Sequence, residues 1–279
     1  MLTRTVPSSG EALPLIGLGT YRGFDAGASA PERTALAEVL KTLVACGGKM
    51  VDSSPMYDRA EGVVGDLQAQ LGLRPQLFLA TKVWTSGRDA GIRQMQRSLQ
   101  SMQAGTMDLM QIHNLVDVQT HTATLEEWKR QGKVRYLGIT HYHEGAYGEL
   151  ERLIATRRYD FVQLNYCIVE RAAEQRLLPL ARETGVAVIV NRPFAQAGVF
   201  ARARQGAPAL GSRVRLQRLE PVLPEVRRLA PGGDLRDSRH QRTRAHAEQR
   251  DRRRRAPARR ADAHAHGSLF RESVNAAGG

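Results

Sequence analysis

The first 200 residues predict an α/β fold, a parallel sheet covered by helices, on three observations. Seven short apolar runs alternate with stretches of helical periodicity. Most of these runs are apolar on both faces, as strands buried between two layers must be. Six successive runs end in a side chain that packing alone does not explain: Asp52, Lys82, His113, Thr140, Gln163 and Asn191.

The elements follow in order. The opening segment, with Pro14, leads into a short apolar strand within LIGLGTYRGF. Pro31, a favoured first-turn residue, starts a helix carrying Leu36, Val39, Leu40, Leu43 and Val44 at helical spacing. Cys46, Gly47 and Gly48 end it, and Lys49 to Asp52 is the next strand. The stretch from Val51 to Leu67 then gives a strand end at Asp52, a tight Ser-Ser-Pro turn and Tyr57. A helix runs from near Glu61 to Leu71, with Gly72 at its end.

The same grammar repeats. LFLATKVW is a strand, and Ile92, Met95, Leu99 and Met102 mark a helix face. MDLMQIH is a strand, and Leu125 and Trp128 lie on a short helix closed by Gly132. VRYLGIT precedes a helix marked by Leu150, Leu153 and Ile154. DFVQLNY precedes one marked by Leu177, Leu178 and Ala181, ending at Gly185, and VAVIVN is the last strand. A doubly wound open sheet and a closed barrel both satisfy this alternation. No G-x-G-x-x-G follows the first strand, which weighs against a Rossmann-type site; GLGTYRG is a partial echo.

Composition divides the chain in two. The formal charge is +13, but residues 201–279 hold 19 of the 41 basic side chains, all Arg, and only 8 of the 28 acidic ones. That tail has no Lys, Ile, Met, Tyr, Trp or Cys, and Phe270 is its single aromatic. The expected organisation is therefore a folded unit over 1–200 and an Arg/Ala/Pro-rich, disordered tail over 201–279. The two cysteines, Cys46 and Cys167, form no spaced framework, the N-terminus lacks a signal-peptide core, and no apolar run reaches a membrane span. The expectation is a soluble cytoplasmic protein that needs no metal, since its His and Cys spacings match no zinc pattern.

Taken singly, the strand-end residues have bland explanations. Asp52 caps a turn, Lys82 solubilises an edge, His113 sits satisfied in a core, and Gln163 and Asn191 tie strands together. Collected at the ends of six apolar strands, they resist that account. Burying such groups costs several kcal/mol unless they pair, and a barrel gathers its chemistry at those ends.

A linked set of segments carries a family likeness: GLGTY, the turn from Asp52 through Pro55 to Tyr57, LATKVW, DLMQIHN, KVRYLGIT and FVQLNY. In this order, over about 15–193, the set resembles the aldo/keto reductase superfamily. The resemblance implies a (β/α)8 TIM barrel of which seven strands are recognisable here. It also implies NAD(P)H-dependent reduction of an aldehyde or ketone, with NADPH the expected cofactor and NADH not excluded. Tyr57 would be the general acid, Lys82 the cation stabilising its phenolate, Asp52 the partner of Lys82, and His113 a hydrogen-bond donor to the carbonyl oxygen. Thr20, Thr140, His141 and Gln163 fall where the nicotinamide end of the cofactor is held, and Trp84 where an aromatic lines the substrate pocket. Two positions depart from the family pattern. Its usual Ser-Asn pair is Thr140-His141, and Asn191 stands where a tyrosine commonly stacks on the nicotinamide, with Phe194 an aromatic nearby. A small carbonyl compound is the expected partner of a monomeric protein.

Family members continue with an eighth strand and a segment gripping the adenosine and 2′-phosphate, neither recognisable after about Arg204. The tail has three readings. It is a disordered segment, or a nucleic-acid arm in which RDRRRRAPARR neutralises phosphates on a non-catalytic barrel, or the family's C-terminus read out of frame. Arg and Ala richness without Lys or Ile is what a GC-rich gene gives in a shifted frame. Val214 to Gln241, back-translated with free choice of synonymous codons and read one base later, can give a family-like stretch in which Asp237 to Gln241 becomes IPATS. The out-of-frame reading explains most, and it leaves a barrel without its eighth strand and in doubt as a working enzyme.

Overall fold

The computed structural model describes residues 1–195. The tail, the predicted boundary near residue 200 and the position of any eighth strand lie outside the described residues.

An antiparallel hairpin opens the chain, β1 (Thr3–Thr5) with β2 (Ala12–Pro14). Sequence reasoning passed over it because its strands are three residues long and β1 is fully exposed. Seven parallel strands follow: β3 (Leu18–Gly19), β4 (Met50–Asp52), β5 (Phe78–Val83), β6 (Met107–His113), β7 (Val134–His141), β8 (Phe161–Asn165) and β9 (Ala187–Asn191). They pair in chain order, so among the described residues β3 and β9 are the outer strands. Helices separate them: α1 (Ala30–Ala45), α2 (Ala60–Gln70), α3 (Arg88–Ser101), α4 (Val118–Arg130), α5 (Tyr147–Ala155) and α6 (Leu177–Thr184). The predicted alternation stands, and Gly185 caps α6 in the left-handed conformation that a side chain resists. β7 and β8 run one or two residues past the predicted polar ends, so Thr140 and Gln163 lie inside strands rather than closing them.

The sheet curls into a half-barrel. Gln163 on β8 donates to Asp52 on β4 at 3.1 Å. Four inter-strand steps would hold these residues about 19 Å apart on a flat sheet. The inner face is layered. Phe78, Ala80, Leu109, Tyr136 and Phe161 form an apolar floor, closed from below by Val6 and Leu13 of the hairpin. The hairpin is fastened by Arg135, which bonds both Asp108 and Glu11, and by Tyr136, which donates to Ser9. Above the floor, toward the C-terminal strand ends, the inner residues become polar. The outer face of the sheet, including Leu79, Met110, Ile112, Leu137, Ile139 and Val162, packs on the helices in the main core.

No helix among the described residues is long and apolar enough to cross a membrane.

Candidate active site

Strand periodicity builds the polar layer. Side chains two residues apart share a face, so Ala80 in the floor puts Lys82 directly above it, and Leu109 does the same for Gln111 and His113. Register then aligns Lys82 with Gln111, His113 with Thr140, and Thr140 with Gln163.

At the centre is a buried ion pair. Lys82, 1% exposed, donates to both carboxylate oxygens of Asp52 at 3.0 and 2.9 Å and to the Ser53 carbonyl at 2.6 Å. Gln111 and Gln163 each add a bond to Asp52, at 3.1 Å. A buried pair is kept charged only when its remaining hydrogen-bond capacity is met, and these amides meet it. Gly138 makes room for Gln111: a Cβ there would lie 2.9 Å from the Gln111 side chain.

Tyr57 follows on the loop after β4, with its ring centroid 5.1 Å from the Lys82 ammonium. Tyr21 and His113 flank that ring at 5.0 and 6.2 Å. Burial raises the Tyr57 pKa above its ordinary value, and Lys82 opposes this only in part. The sequence expectation weighed the cation alone; desolvation of the phenol outweighs it. His113 is pushed the other way, down to about 3, by burial first and then by Lys82 and His141. It is a neutral imidazole near pH 7. Asn114 and Leu115, immediately after it, both have positive φ, 52° and 57°, a strained turn of the kind that functional sites retain.

The other predicted residues are arranged as follows. Thr20 is buried and donates to the Asp52 carbonyl and the Ser53 hydroxyl, so it braces the β4 end. Thr140 donates to Gln163, whose amide is already committed to Asp52. His141 is half-buried, accepts from the His143 backbone and stacks on Tyr142. The Asn191 side chain is half-buried and makes no hydrogen bond among the described residues. Phe194 lies well exposed three residues further on. Trp84, 43% exposed, stands 6.3 Å from His113. No cluster of three or more metal-ligating side chains occurs among the described residues.

Sequence reasoning missed Gln111, Ser54 and Gln94. Gln111 was findable, being two residues before His113 on one face of β6. Ser54 lies within the turn, where only the folded structure shows that its hydroxyl reaches His113 Nδ1 at 3.0 Å. Gln94, in the second turn of α3, grips the Trp84 backbone twice, at N and at O. His121 and Asp117 hold the next residues, at the Thr85 carbonyl and the Gly87 amide.

A family profile described as the aldo/keto reductase family matches residues 15–250. The chain belongs to the aldo/keto reductase family. Its similarity to methylglyoxal reductase YeaE of Escherichia coli K12 is 30% identity over 206 residues, covering 71% of this chain and 70% of that protein. It is also 28% identical over 220 residues to an NADH-specific methylglyoxal reductase of the same organism, covering 66% and 64%. Against several other curated relatives it spans about half their length, 48% for methylglyoxal reductase DkgB of Salmonella typhi. Among solved structures, an aldo-keto reductase from Klebsiella pneumoniae in complex with NADPH superposes with a TM-score of 0.59 at 28% identity, covering 71% and 70% of the two chains. A second from that organism, with NADP and acetate, gives 0.61 at 26%, covering 77% and 74%. The seven parallel strands are thus those of an aldo/keto reductase (β/α)8 fold, in a family of NADP-dependent oxidoreductases.

Proposed function

We propose that this protein reduces a small aldehyde or ketone to an alcohol, with Tyr57 giving the proton. The observation that carries the reading is the buried Asp52–Lys82 pair set beside the Tyr57 ring. An ammonium held there stabilises the phenolate that forms when the proton leaves, and Asp52 holds the ammonium in place. The neutral His113 imidazole donates to the carbonyl oxygen and orients it as charge develops there. Trp84 excludes water from one side.

The chemistry of the remaining side chains fits the nicotinamide end of NADPH. A carboxamide needs one acceptor and one donor, and Asn191 offers both with neither engaged among the described residues; His141 lies one residue past Thr140 at the same rim. NADPH, when bound, supplies the hydride to the carbonyl carbon. Thr20, Thr140 and Gln163 act behind these groups, locking the Asp52 end of the site. The segment that grips the 2′-phosphate in the family is not recognisable in this sequence after about Arg204, and we infer that the gene is frameshifted there. DNA sequence across codons 195–215 from independent isolates tests that, and a single clean frame refutes it.

Several relatives, the three named above among them, are named methylglyoxal reductases, so a 2-oxoaldehyde is the first substrate to supply. The test is NADPH consumption with methylglyoxal, for this chain and for a frame-restored one. Turnover that needs Tyr57 in either protein supports the reading. Turnover in neither, with NADPH bound by both, refutes it.

A further inference from the structure

We propose that Ser54 is a positioning residue that fixes His113 as the Nε2–H tautomer, so that the ring can only donate toward the substrate oxygen. The inference rests on the carbonyl-reductase reading above and adds a residue to it.

A neutral imidazole carries one N–H, on either Nδ1 or Nε2. His113 is such a ring, because burial and the Lys82 charge hold it neutral. Its Nδ1 lies 3.0 Å from the Ser54 hydroxyl, and both groups are buried. Its Nε2 makes no hydrogen bond among the described residues, and the Trp84 and Tyr57 ring centroids lie 6.3 and 6.2 Å from that of His113. A tautomer with hydrogen on Nδ1 would present a lone pair to the substrate oxygen and repel it.

Ser54 decides between the two. Its oxygen already accepts the Met56 backbone N–H, at 3.4 Å, and its own proton has one partner among the described residues, His113 Nδ1. If Nδ1 carried the hydrogen, Ser54 would accept twice and its buried O–H would have nowhere to point. An unmet buried donor disfavours that arrangement by about tenfold or more. If Ser54 donates to Nδ1, both hydroxyl roles are met and the hydrogen must sit on Nε2. Sequence supports the placement: Ser54 and Asp52 belong to one turn, so the segment that anchors Lys82 also orients His113.

The test uses the full chain labelled at histidine nitrogen. Long-range proton–nitrogen NMR correlations report the tautomer directly, and His113→Gln assigns the signal by its loss. The expected result is Nε2–H in the unmodified protein and a mixed population in Ser54→Ala. In the same variant kcat for carbonyl reduction should fall about tenfold, with NADPH affinity unchanged. Ser54→Thr, which keeps the hydroxyl, should restore both. An Nδ1–H signal assigned to His113 in the unmodified protein overturns the proposal without any Ser54 variant. An unchanged tautomer in a folded Ser54→Ala also overturns it. A shifted tautomer, with no carbonyl reduced by the unmodified or the frame-restored chain, supports the role of Ser54 in setting the ring and refutes the reductase reading instead.

Discussion

The buried inner face and its rim differ in how much of their hydrogen bonding is already spent. On β4 to β6, Asp52, Lys82 and His113 are buried or nearly so and bonded to one another or to Ser53, Ser54 and Gln111. Thr140 and Gln163 of β7 and β8 are spent in the same network, whereas at the rim His141 and Asn191 are half-buried with capacity in hand, and Val188 and Val190 of β9 are exposed on its other face. Proton transfer needs groups whose geometry and charge are settled before the substrate arrives. A ligand site needs groups still free to bond. We propose that this difference separates a sector for acid–base work from one that holds the cofactor.

The strongest way to break this division is Lys82→Met. It leaves the Asp52 carboxylate in the interior without its cation, and such half-pairs cost about 3–5 kcal/mol. The phenolate loses its stabiliser at the same time. A denaturant titration should show the loss of stability, and NADPH-coupled reduction should be abolished. A variant as stable as the parent would show that solvent or another cation already screens Asp52.

Tyr57→Phe separates chemistry from stability. The ring keeps its packing against Tyr21 and His113, so melting should change little, while kcat falls about 10²–10⁴-fold. The pH profile carries the same information. Because the Tyr57 pKa is raised above 10.0, the midpoint of the basic limb of the reduction rate should lie above pH 10. His113 has the opposite sign. Its folded pKa of about 3 lies below the ordinary 6.5, so its contribution to stability is complete above pH 6.5 and is lost as the pH falls toward 3. His113→Gln should flatten the stability curve in that window. An unchanged slope would mean that the ring is already accessible to protons in the fold.

The acid–base sector was far more legible in the sequence than the rest. Asp52, Lys82 and His113 each interrupt an apolar strand, and strand periodicity carries them to one face without further information. The Tyr57 pKa was not legible, because desolvation depends on Tyr21 and on how the loop folds back over the ring. Ser54 and Gln94 act through a turn hydroxyl and a backbone grip, and neither leaves a pattern in spacing. The hairpin escaped because its strands carry no alternation, although Val6 and Leu13 close the floor of the half-barrel.

A weaker effect is expected at the rim. Asn191→Ala removes a side chain that makes no hydrogen bond among the described residues, so stability should hold within about 0.5 kcal/mol, the usual range for such a position. If the side chain holds the nicotinamide carboxamide, KM for NADPH should rise about fivefold to tenfold, one hydrogen bond's worth, at unchanged kcat. A change in kcat alone would move Asn191 into the proton-transfer half and erase the division.

The smallest effect, and the most discriminating one, concerns the far side of β5. Thr81 points outward where Lys82 points in, and it donates to Glu61 of α2, which also accepts from Ser98 of α3. Burial raises the Glu61 pKa, and the two hydroxyls and Lys82 oppose it. A raised carboxylate pKa means that the folded protein holds the proton more tightly. The stability from Glu61 is therefore full below its unfolded value of 4.5 and is lost as the pH rises through the folded one. This is opposite in sign to His113 on the inner face. In Glu61→Gln the amide keeps one acceptor and the Ser98 hydroxyl can turn to accept from the other end, so the net change near neutrality should stay within about 1 kcal/mol. Denaturant midpoints at about pH 5 and about pH 7 should rise more steeply with pH in the variant than in the parent, because the opposing Glu61 contribution is gone while those of His113 and His141, both depressed by burial, remain. Carbonyl reduction should hold within about threefold, since the substituted group touches β5 from behind. A collapse of kcat with stability intact would show that the outer face of the strand sets the position of Lys82, and the acid–base sector would then extend through the sheet into α2 and α3.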